Sequence, residues 1–166
     1  MEENKKNSFI KEWLPYILII IVVILIKQFI VTPIRVNGDS MNPTLYDGDI
    51  MILNRIGYKL NGLKRFDIVV VKKEKEYLIK RVVGFPGEEI EYKNNKLYIN
   101  GKYVKENYKR KKTADINEVI PKGKYFILGD NRVNSLDSEE FGPINAKEIL
   151  GKTKLVLLPF SHFGDK

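Results

Sequence analysis

Residues 66–87 read FDIVVVKKEKEYLIKRVVGFPG, and this stretch indicates the class of fold. Residues 66–71 are rich in β-branched side chains, which predicts a buried β-strand. Residues 72–76 are charged and predict a turn, after which residues 77–85 return as the partner strand. Lys80 lies inside this second strand between aliphatic neighbours, so the predicted hairpin carries an amine into an apolar environment.

The rest of the chain from about residue 34 onward repeats this pattern of short apolar runs separated by turns. The Asn100-Gly101 pair is a strong signal for a type I′ hairpin turn, because both residues tolerate positive φ. A helix is indicated only at residues 146–150. Since strands and helices do not alternate, the chain is predicted to be mostly β, with antiparallel pairing. The further predicted strands are residues 49–53, 89–92, 96–99, 102–104, 125–128 and 154–158.

Residues 88–122 are richer in charged residues and hairpin signals than the sequence on either side. We interpret them as a β-ribbon inserted into a single domain, because so short a segment seldom forms a core of its own. Within this range, residues 102–112 are strongly basic, and such charge blocks are typical of solvated, mobile loops. Contact of this block with anionic lipid is the alternative. Nucleic-acid binding is disfavoured, because no aromatic residue interleaves residues 109–112.

Residues 13–33 are predicted to form an uncleaved membrane anchor. From residue 13 to residue 26 every side chain is apolar apart from the Tyr16 hydroxyl, and the continuation beyond Lys27 makes the segment long enough to cross a bilayer core. Lys27 can extend its amine to the headgroups. The segment is apolar all round, which disfavours a helix packed on a protein surface. No Ala-x-Ala pattern follows it, which disfavours a cleaved signal peptide.

The charges around this segment predict its orientation. Lys5, Lys6 and Lys11 precede it, so the positive-inside rule predicts a cytoplasmic N-terminal tail over residues 1–12. Residues 34–166 then form an extracytoplasmic, β-rich domain next to the membrane lipid. The protein is therefore predicted to cross the cell membrane once.

The composition excludes several kinds of chemistry. The chain of 166 residues contains no cysteine and a single histidine, His162, close to its C-terminus. The lack of cysteine excludes a disulfide framework, a thiolate nucleophile and a cysteine-ligated zinc. A Ser-His-Asp triad would depend on the tail histidine and is disfavoured. No metal or organic cofactor is indicated, and the net charge of +8 favours anionic partners such as lipid headgroups.

Ser40 lies in a second informative stretch, NGDSMNPTL at residues 37–45, where Gly38 permits a sharp bend and Pro43 ends the turn. A serine is a weak nucleophile unless a base takes its proton. Lys80 can be that base only if burial lowers its pKa. Taken separately, each residue has a simpler explanation, since lysine protects edge strands and Gly-Asp-Ser-x-x-Pro is ordinary turn chemistry.

A third segment, LGDNRVNSLDSEEFGP at residues 128–143, follows a predicted buried strand and is dense in polar side chains. It comes after the SMNPTL block at residues 40–45 and the KRVVGFPG block at residues 80–87. The RFDIV run at residues 65–69 adds a further strand block. In sequence and in order, these blocks resemble the type I signal peptidase family, from the anchor to about residue 160.

The resemblance implies a membrane-anchored serine endopeptidase that cleaves N-terminal signal peptides from exported preproteins. It also implies the family's fold of coiled antiparallel β-sheets, which self-cleaving repressor proteases share. Ser40 would be the nucleophile, and its backbone N–H would stabilise the oxyanion. Lys80 would be the general base, and Ser135 would orient Lys80 through a hydrogen bond.

The same resemblance implies that Arg81 pairs with Asp130 and that Asp137 braces the loop around them. Two departures from the family pattern stand out. Glu139 occupies a position where many relatives have an arginine that neutralises Asp137, so this carboxylate needs another partner. Gly38 occupies a position where some relatives add a side-chain hydroxyl to the oxyanion site. Shallow pockets for small substrate side chains at positions −1 and −3 would be lined by Val36, Met41, Leu45, Leu78 and Ile79.

Two alternatives remain open from the sequence. A soluble, self-cleaving repressor-type protease would use the same Ser/Lys dyad, but the apolar segment at residues 13–31 argues against it. A membrane-tethered β domain without catalysis would bind anionic envelope polymer or lipid through residues 102–112.

Overall fold

The computed structural model of the protein describes residues 12–24 and 31–166. Residues 12–24 are helical with exposed side chains, whereas residues 1–11 and 25–30 of the predicted tail and anchor lie outside the described residues. Residues 31–33, the end of the predicted anchor, belong to a β-strand. Within the described ranges, no helix combines the length and the apolar character that crossing a membrane requires. The anchor stays a prediction.

The described part of the chain is mostly antiparallel β-structure, as the sequence predicted. The strands form two sheets. In chain order they are β1 (Val31–Arg35), β2 (Ile50–Asn54), β3 (Ile68–Lys73), β4 (Glu76–Gly84), β5 (Glu89–Lys93), β6 (Lys96–Ile99), β7 (Lys102–Val104), β8 (Ile116–Val119), β9 (Lys124–Leu128), β10 (Ile144–Asn145), β11 (Ile149–Leu158) and β12 (Gly164–Asp165).

The larger sheet has the order β1-β2-β11-β3-β4-β9-β10, with β12 paired to β11. The predicted hairpin is formed by β3 and β4, and its register pairs Val69 with Lys80. The other side of β4 pairs with β9, where Arg81 lies opposite Leu128. Lys80 therefore stands on an interior strand, and the edge-strand explanation for this lysine is wrong.

The smaller sheet has the order β7-β6-β5-β8 and falls within the range 88–122. Positive φ at Asn100 (49°) and Gly101 (73°) forms the expected tight turn between β6 and β7. The buried face of this sheet packs on the end of β9, so the two sheets share one core. The buried members of that cluster are Val83, Ile90, Tyr92, Leu97, Ile99, Ile120, Phe126 and Leu128.

Two further buried clusters support the larger sheet. One lies beneath the turn that carries Ser40, and the other lies behind the β3–β4 hairpin. Each fully buried aliphatic side chain contributes about 1.5–3 kcal/mol, so both elements are firmly held. The first cluster contains Val36, Met41, Leu45, Met51, Ile68 and Val156, and the second contains Val69, Val71, Val82, Ile127, Ile144 and Ile149.

The C-terminal strand differs most from the prediction. A helix was expected at residues 146–150, but only a single 3₁₀ turn forms at Ala146–Glu148, and β11 begins at Ile149. Gly151 and Lys152 interrupt the apolar pattern, yet the backbone there pairs with β2 on one side and β3 on the other. The strand is therefore extended by partners far away in the sequence. The short helices Gly57–Asn61 and Ser138–Phe141 and strand β8 were also not predicted.

Candidate active site

The side chains of Ser40 and Lys80 meet beside the middle of strand β4. The Lys80 Nζ lies 2.6 Å from the Ser40 Oγ, and the lysine residue is only 2% exposed. Ser40 sits in the turn after β1, which is fastened where the Gly38 N–H donates to Asp47 Oδ1 at 2.7 Å. The interior strand β4 holds Lys80 from the opposite side.

Burial changes the chemistry of the Lys80 amine. Desolvation lowers its pKa from 10.5 to about 8, because a charged ammonium is poorly stabilised away from water. The carboxylates of Asp137 and Asp130 act in the opposite direction and raise the pKa of Lys80, but they do not cancel the effect of burial. Near neutral to mildly alkaline pH, a useful fraction of the amine is therefore a neutral base in contact with a hydroxyl.

Arg81 forms a buried ion pair with Asp130 next to this contact. The guanidinium donates through Nε to Asp130 Oδ1 at 2.8 Å and through Nη2 to Oδ2 at 2.6 Å. Its Nη1 donates to the carbonyl of Phe66 at 2.8 Å, and the Thr44 hydroxyl donates to Asp130 Oδ2 at 2.5 Å. This two-point geometry fixes the carboxylate as well as neutralising it.

Asp137 is held by backbone groups where the family pattern would supply an arginine. Its Oδ2 accepts from the Gly129 N–H at 2.8 Å, and its Oδ1 accepts from the Glu139 N–H at 3.1 Å. These two main-chain N–H groups are hydrogen-bond partners of the Asp137 carboxylate, and Asp137 is 1% exposed. Burial first, and the nearby Asp137 charge second, raise the pKa of Glu139.

Ser135 does not make the expected hydrogen bond to Lys80. Its Oγ is buried and has no hydrogen-bond partner among the described residues. Ser135 instead lies against Gly129, where an added Cβ would meet the Ser135 Oγ at 2.1 Å and the Ser40 carbonyl oxygen at 2.4 Å. The loop therefore approaches the turn that carries Ser40 as closely as a glycine allows.

If Ser40 is the predicted nucleophile, replacing Gly129 by alanine should lower kcat/KM for peptide cleavage by about 10–100-fold. Displacement of a reacting hydroxyl by about 1 Å costs rate on this scale. The new Cβ would push on the backbone of Ser40, which cannot rotate away as a long side chain could. Gly123→Ala is the control for backbone strain away from the site: its φ of 74° strains an alanine, a Cβ there meets no other atom, and kcat/KM should stay at the wild-type value. Equal kcat/KM for Gly129→Ala and wild type would show that the close approach does not position Ser40.

A groove of about 410 Å³ opens beside the Ser40 hydroxyl. Four of the five predicted pocket residues line it, namely Val36, Met41, Leu78 and Ile79. Leu45 does not: the turn folds back, the Leu45 N–H donates to the Met41 carbonyl at 3.0 Å, and the side chain enters the cluster beneath. Further lining residues that the sequence did not single out are Ile34, Leu53, Arg55, Val70, Tyr77 and Leu150.

Residues 10–158 match the model of the family described as signal peptidase, peptidase S26. The chain belongs to this family. The resemblance seen in the sequence is thereby confirmed, and with it the coarse function, a serine peptidase that acts on signal peptides. Family membership favours this function over a repressor-type protease and over a domain that only binds.

Individual relatives agree with this assignment. A protein named signal peptidase IB from Staphylococcus aureus (strain Mu50 / ATCC 700699) is 42% identical over 175 residues, covering 92% of this chain and 91% of the relative. Signal peptidase I P from Bacillus subtilis subsp. natto is 40% identical over 177 residues, covering 97% of this chain and 96% of the relative. A crystal structure of a signal peptidase I from Enterococcus faecalis V583 is 32% identical, with a TM-score of 0.50, and covers 54% of this chain and 95% of that one.

Two residues that connect the quoted sequence blocks were not singled out from the sequence. The Asn131 N–H donates to the Ser40 carbonyl at 2.9 Å, and its Nδ2 donates to the Asp39 carbonyl at 3.0 Å. Thr44 links the turn that carries Ser40 to Asp130. Both residues lie inside quoted blocks, so their positions were visible, but their contacts depend on loops that meet only in the fold. Within residues 12–24 and 31–166, no group of carboxylate or histidine side chains could hold a metal ion.

Proposed function

We propose that the protein is a membrane-anchored serine endopeptidase that releases exported preproteins from their N-terminal signal peptides with a Ser40–Lys80 dyad. The observation that carries this proposal is the 2.6 Å contact between the Lys80 amine and the Ser40 hydroxyl. The low exposure of Lys80 supports it, because only a desolvated amine loses its proton near working pH.

The chemical steps use these two side chains in turn. Neutral Lys80 takes the proton of the Ser40 hydroxyl while Oγ attacks the carbonyl carbon of the scissile peptide bond. Collapse of the tetrahedral intermediate breaks the C–N bond, and Lys80 gives its proton to the leaving amine. Water then attacks the ester, with Lys80 accepting a water proton and returning it to the Ser40 oxygen, which frees the signal peptide.

The developing oxyanion needs preorganised donors. The backbone N–H of Ser40 makes no hydrogen bond within the described residues, so it is free to donate to this oxygen. In our proposal Arg81, Asp130 and Asp137 keep the surrounding loop in place and Ser135 lines it. In our proposal the groove beside Ser40 takes small side chains at positions −1 and −3, and Val36, Met41, Leu78 and Ile79 supply its apolar lining.

The proposal places the catalytic domain outside the cell membrane. Residues 13–33 would contain the single anchor, residues 1–12 would stay in the cytoplasm, and residues 34–166 would form the extracytoplasmic domain with an inserted ribbon at 88–122. The helical residues 13–24, which are exposed and apolar apart from the Tyr16 hydroxyl, support an anchor, since exposed apolar surface of this extent favours lipid as its surroundings.

The proposal is tested with purified full-length protein in detergent and a preprotein that carries an Ala-x-Ala site. Wild type should yield a mature product whose N-terminus, read by mass spectrometry, follows the second alanine, whereas Ser40→Ala should yield none. Ser161→Ala, at an exposed serine near the C-terminus, is the control and should cleave normally. Equal cleavage by Ser40→Ala and wild type would refute the proposed nucleophile.

The pH dependence of kcat/KM follows from the lowered pKa of Lys80. Below about pH 8 the amine is increasingly protonated and cannot accept the serine proton, so the rate should fall by about tenfold for each further pH unit. Above that pH the rate should reach a plateau. A profile measured from pH 5.5 to pH 9.5 that is flat, or that falls only above pH 8, would contradict a lysine base.

A further inference from the structure

The basic stretch crosses the back of the active site as an extended segment, which we call the strap and define as residues 105–111. Side chains along the strap alternate between exposed and half-buried. Glu106, Tyr108 and Arg110 turn inward, whereas the lysines between and beside them are exposed. The prediction of a solvated loop over residues 102–112 is therefore wrong for the inward-facing half of the strap.

Tyr108 covers the guanidinium of Arg81. The ring centre lies 3.9 Å from the Arg81 Cζ, within the range of a cation–π contact. The same ring lies 5.1 Å from the ring of Phe66, whose carbonyl accepts the Arg81 Nη1 hydrogen bond. The Tyr108 ring thus shields one face of the Arg81 guanidinium from water.

Glu106 and Arg132 hold the Tyr108 ring in place. The Tyr108 hydroxyl donates to Glu106 Oε1 at 2.5 Å and accepts from Arg132 Nη2 at 2.9 Å. Burial alone would raise the pKa of Glu106, but the hydrogen bond from Tyr108 and the charge of Arg132 outweigh it, so the pKa lies below its ordinary value. The charged Glu106 binds Arg132, and the Arg132 Nε donates to the Gly129 carbonyl at 2.9 Å.

The strap backbone touches both halves of the active site. The Lys111 N–H donates to the Asp130 carbonyl at 2.9 Å. The Thr44 hydroxyl lies 3.2 Å from the Lys109 carbonyl and 2.5 Å from Asp130 Oδ2. The strap therefore joins the loop at 129–131 to the turn that carries Ser40.

We propose that Tyr108 is a positioning residue for this peptidase, acting on the nucleophile turn through the Arg81–Asp130 pair. The inference rests on the proposed function and adds to it a side chain outside the family's motif blocks. Asp130 precedes Asn131, whose N–H holds the Ser40 carbonyl, so a shift of the pair moves the turn. Because Tyr108 is not part of the groove wall, its effect falls on turnover and not on substrate binding.

Three substitutions in the full-length protein separate the ring from the hydroxyl and from simple volume. Tyr108→Phe keeps the face over Arg81 and should retain kcat within about threefold. Tyr108→Leu fills the space without an aromatic face, and its kcat should fall by about tenfold. Tyr108→Ala leaves the space empty, and its kcat should fall by about 100-fold, which is the scale of a 1 Å misplacement of a reacting group. KM for a fluorogenic Ala-x-Ala peptide should stay within about twofold of the wild-type value in all three variants. None of the substitutions changes a residue that lines the groove.

Tyr103→Ala is the matched control, because this tyrosine lies in β7, just before the strap, and is exposed. It should leave both kcat and KM unchanged. Wild-type kcat in Tyr108→Leu or Tyr108→Ala would overturn the proposal, as would a loss confined to KM. If Tyr108→Ala does not fold, the kcat of Tyr108→Leu tests the proposal. If neither variant folds, Tyr108 is needed for folding, and the proposed positioning role is overturned.

Hydrogen exchange gives a readout that does not depend on activity. In Tyr108→Leu the amides of Asn131 and Lys111 should exchange at least about tenfold faster, because the groups that fix their acceptors are loosened. The amide of Val69, in the interior of the sheet, should not change. If wild type cleaves nothing, the proposed function fails while these exchange rates still test the strap; if wild type cleaves but the exchange rates are unaltered, the strap proposal alone fails.

Discussion

Full-length protein carrying Lys80→Met is expected to lose preprotein cleavage by at least about 10³-fold, because removal of the general base leaves the Ser40 hydroxyl unactivated. Methionine has a similar length and fills the space of the lysine side chain, so the sheet keeps its packing. A buried amine also carries a desolvation cost, and its removal should leave the midpoint of urea unfolding unchanged or higher. Cleavage is measured as turnover of a preprotein, and unfolding is followed in the same detergent.

Lys75→Met is the control for this experiment. Lys75 lies in the exposed turn of the same β3–β4 hairpin, so its substitution removes one positive charge without touching the site. Both properties should match wild type in this variant. Preserved cleavage in Lys80→Met would mean that another group accepts the serine proton.

Arg81→Met is expected to lower the free energy of unfolding by about 3–5 kcal/mol, the usual cost of leaving one member of a buried ion pair without its partner. Asp130 is fully buried, and among the described residues only the guanidinium of Arg81 forms an ion pair with its carboxylate, through two hydrogen bonds. Its remaining donor, the Thr44 hydroxyl, cannot neutralise the carboxylate. Urea unfolding of the full chain measures the loss as a lower midpoint with an unchanged slope.

The double variant Arg81→Met with Asp130→Leu should regain most of this stability, since it removes both buried charges, but it should not regain cleavage. The control is Lys154→Met, which breaks an exposed pair with Asp165 and should change stability by less than about 1 kcal/mol. If Arg81→Met unfolds at the wild-type midpoint, the pair does not hold the loop, and the account of the site in terms of this pair fails.

The sequence predicted those parts of the fold whose cause is local. The β3–β4 hairpin follows from a β-branched run and a charged turn, and the Asn100-Gly101 turn follows from residues that tolerate positive φ. Both features need no knowledge of distant partners. Burial of Lys80 does, because its aliphatic neighbours left an edge strand open and only the pairing with β9 makes β4 an interior strand.

Features set by distant contacts were missed. Strand β11 continues through Gly151 and Lys152 because β2 and β3 supply backbone partners on both sides. Leu45 enters the core because its turn folds back, and Ser135 packs on Gly129 instead of bonding to Lys80. The strap was mispredicted as a solvated loop for a similar reason. Its inward-facing residues, Glu106, Tyr108 and Arg110, alternate with exposed ones, but the many lysines in residues 105–111 favoured a fully solvated segment.

The most direct test of the Ser40–Lys80 account is an NMR titration of the Lys80 side chain in the full-length protein. The ¹³Cε signal of Lys80 is assigned by its absence in Lys80→Met and followed from pH 6 to pH 11. The account predicts a transition near pH 8, because burial disfavours the ammonium form. A transition near 10.5, the ordinary value for lysine, would show that the amine remains charged at working pH and would contradict its role as the base.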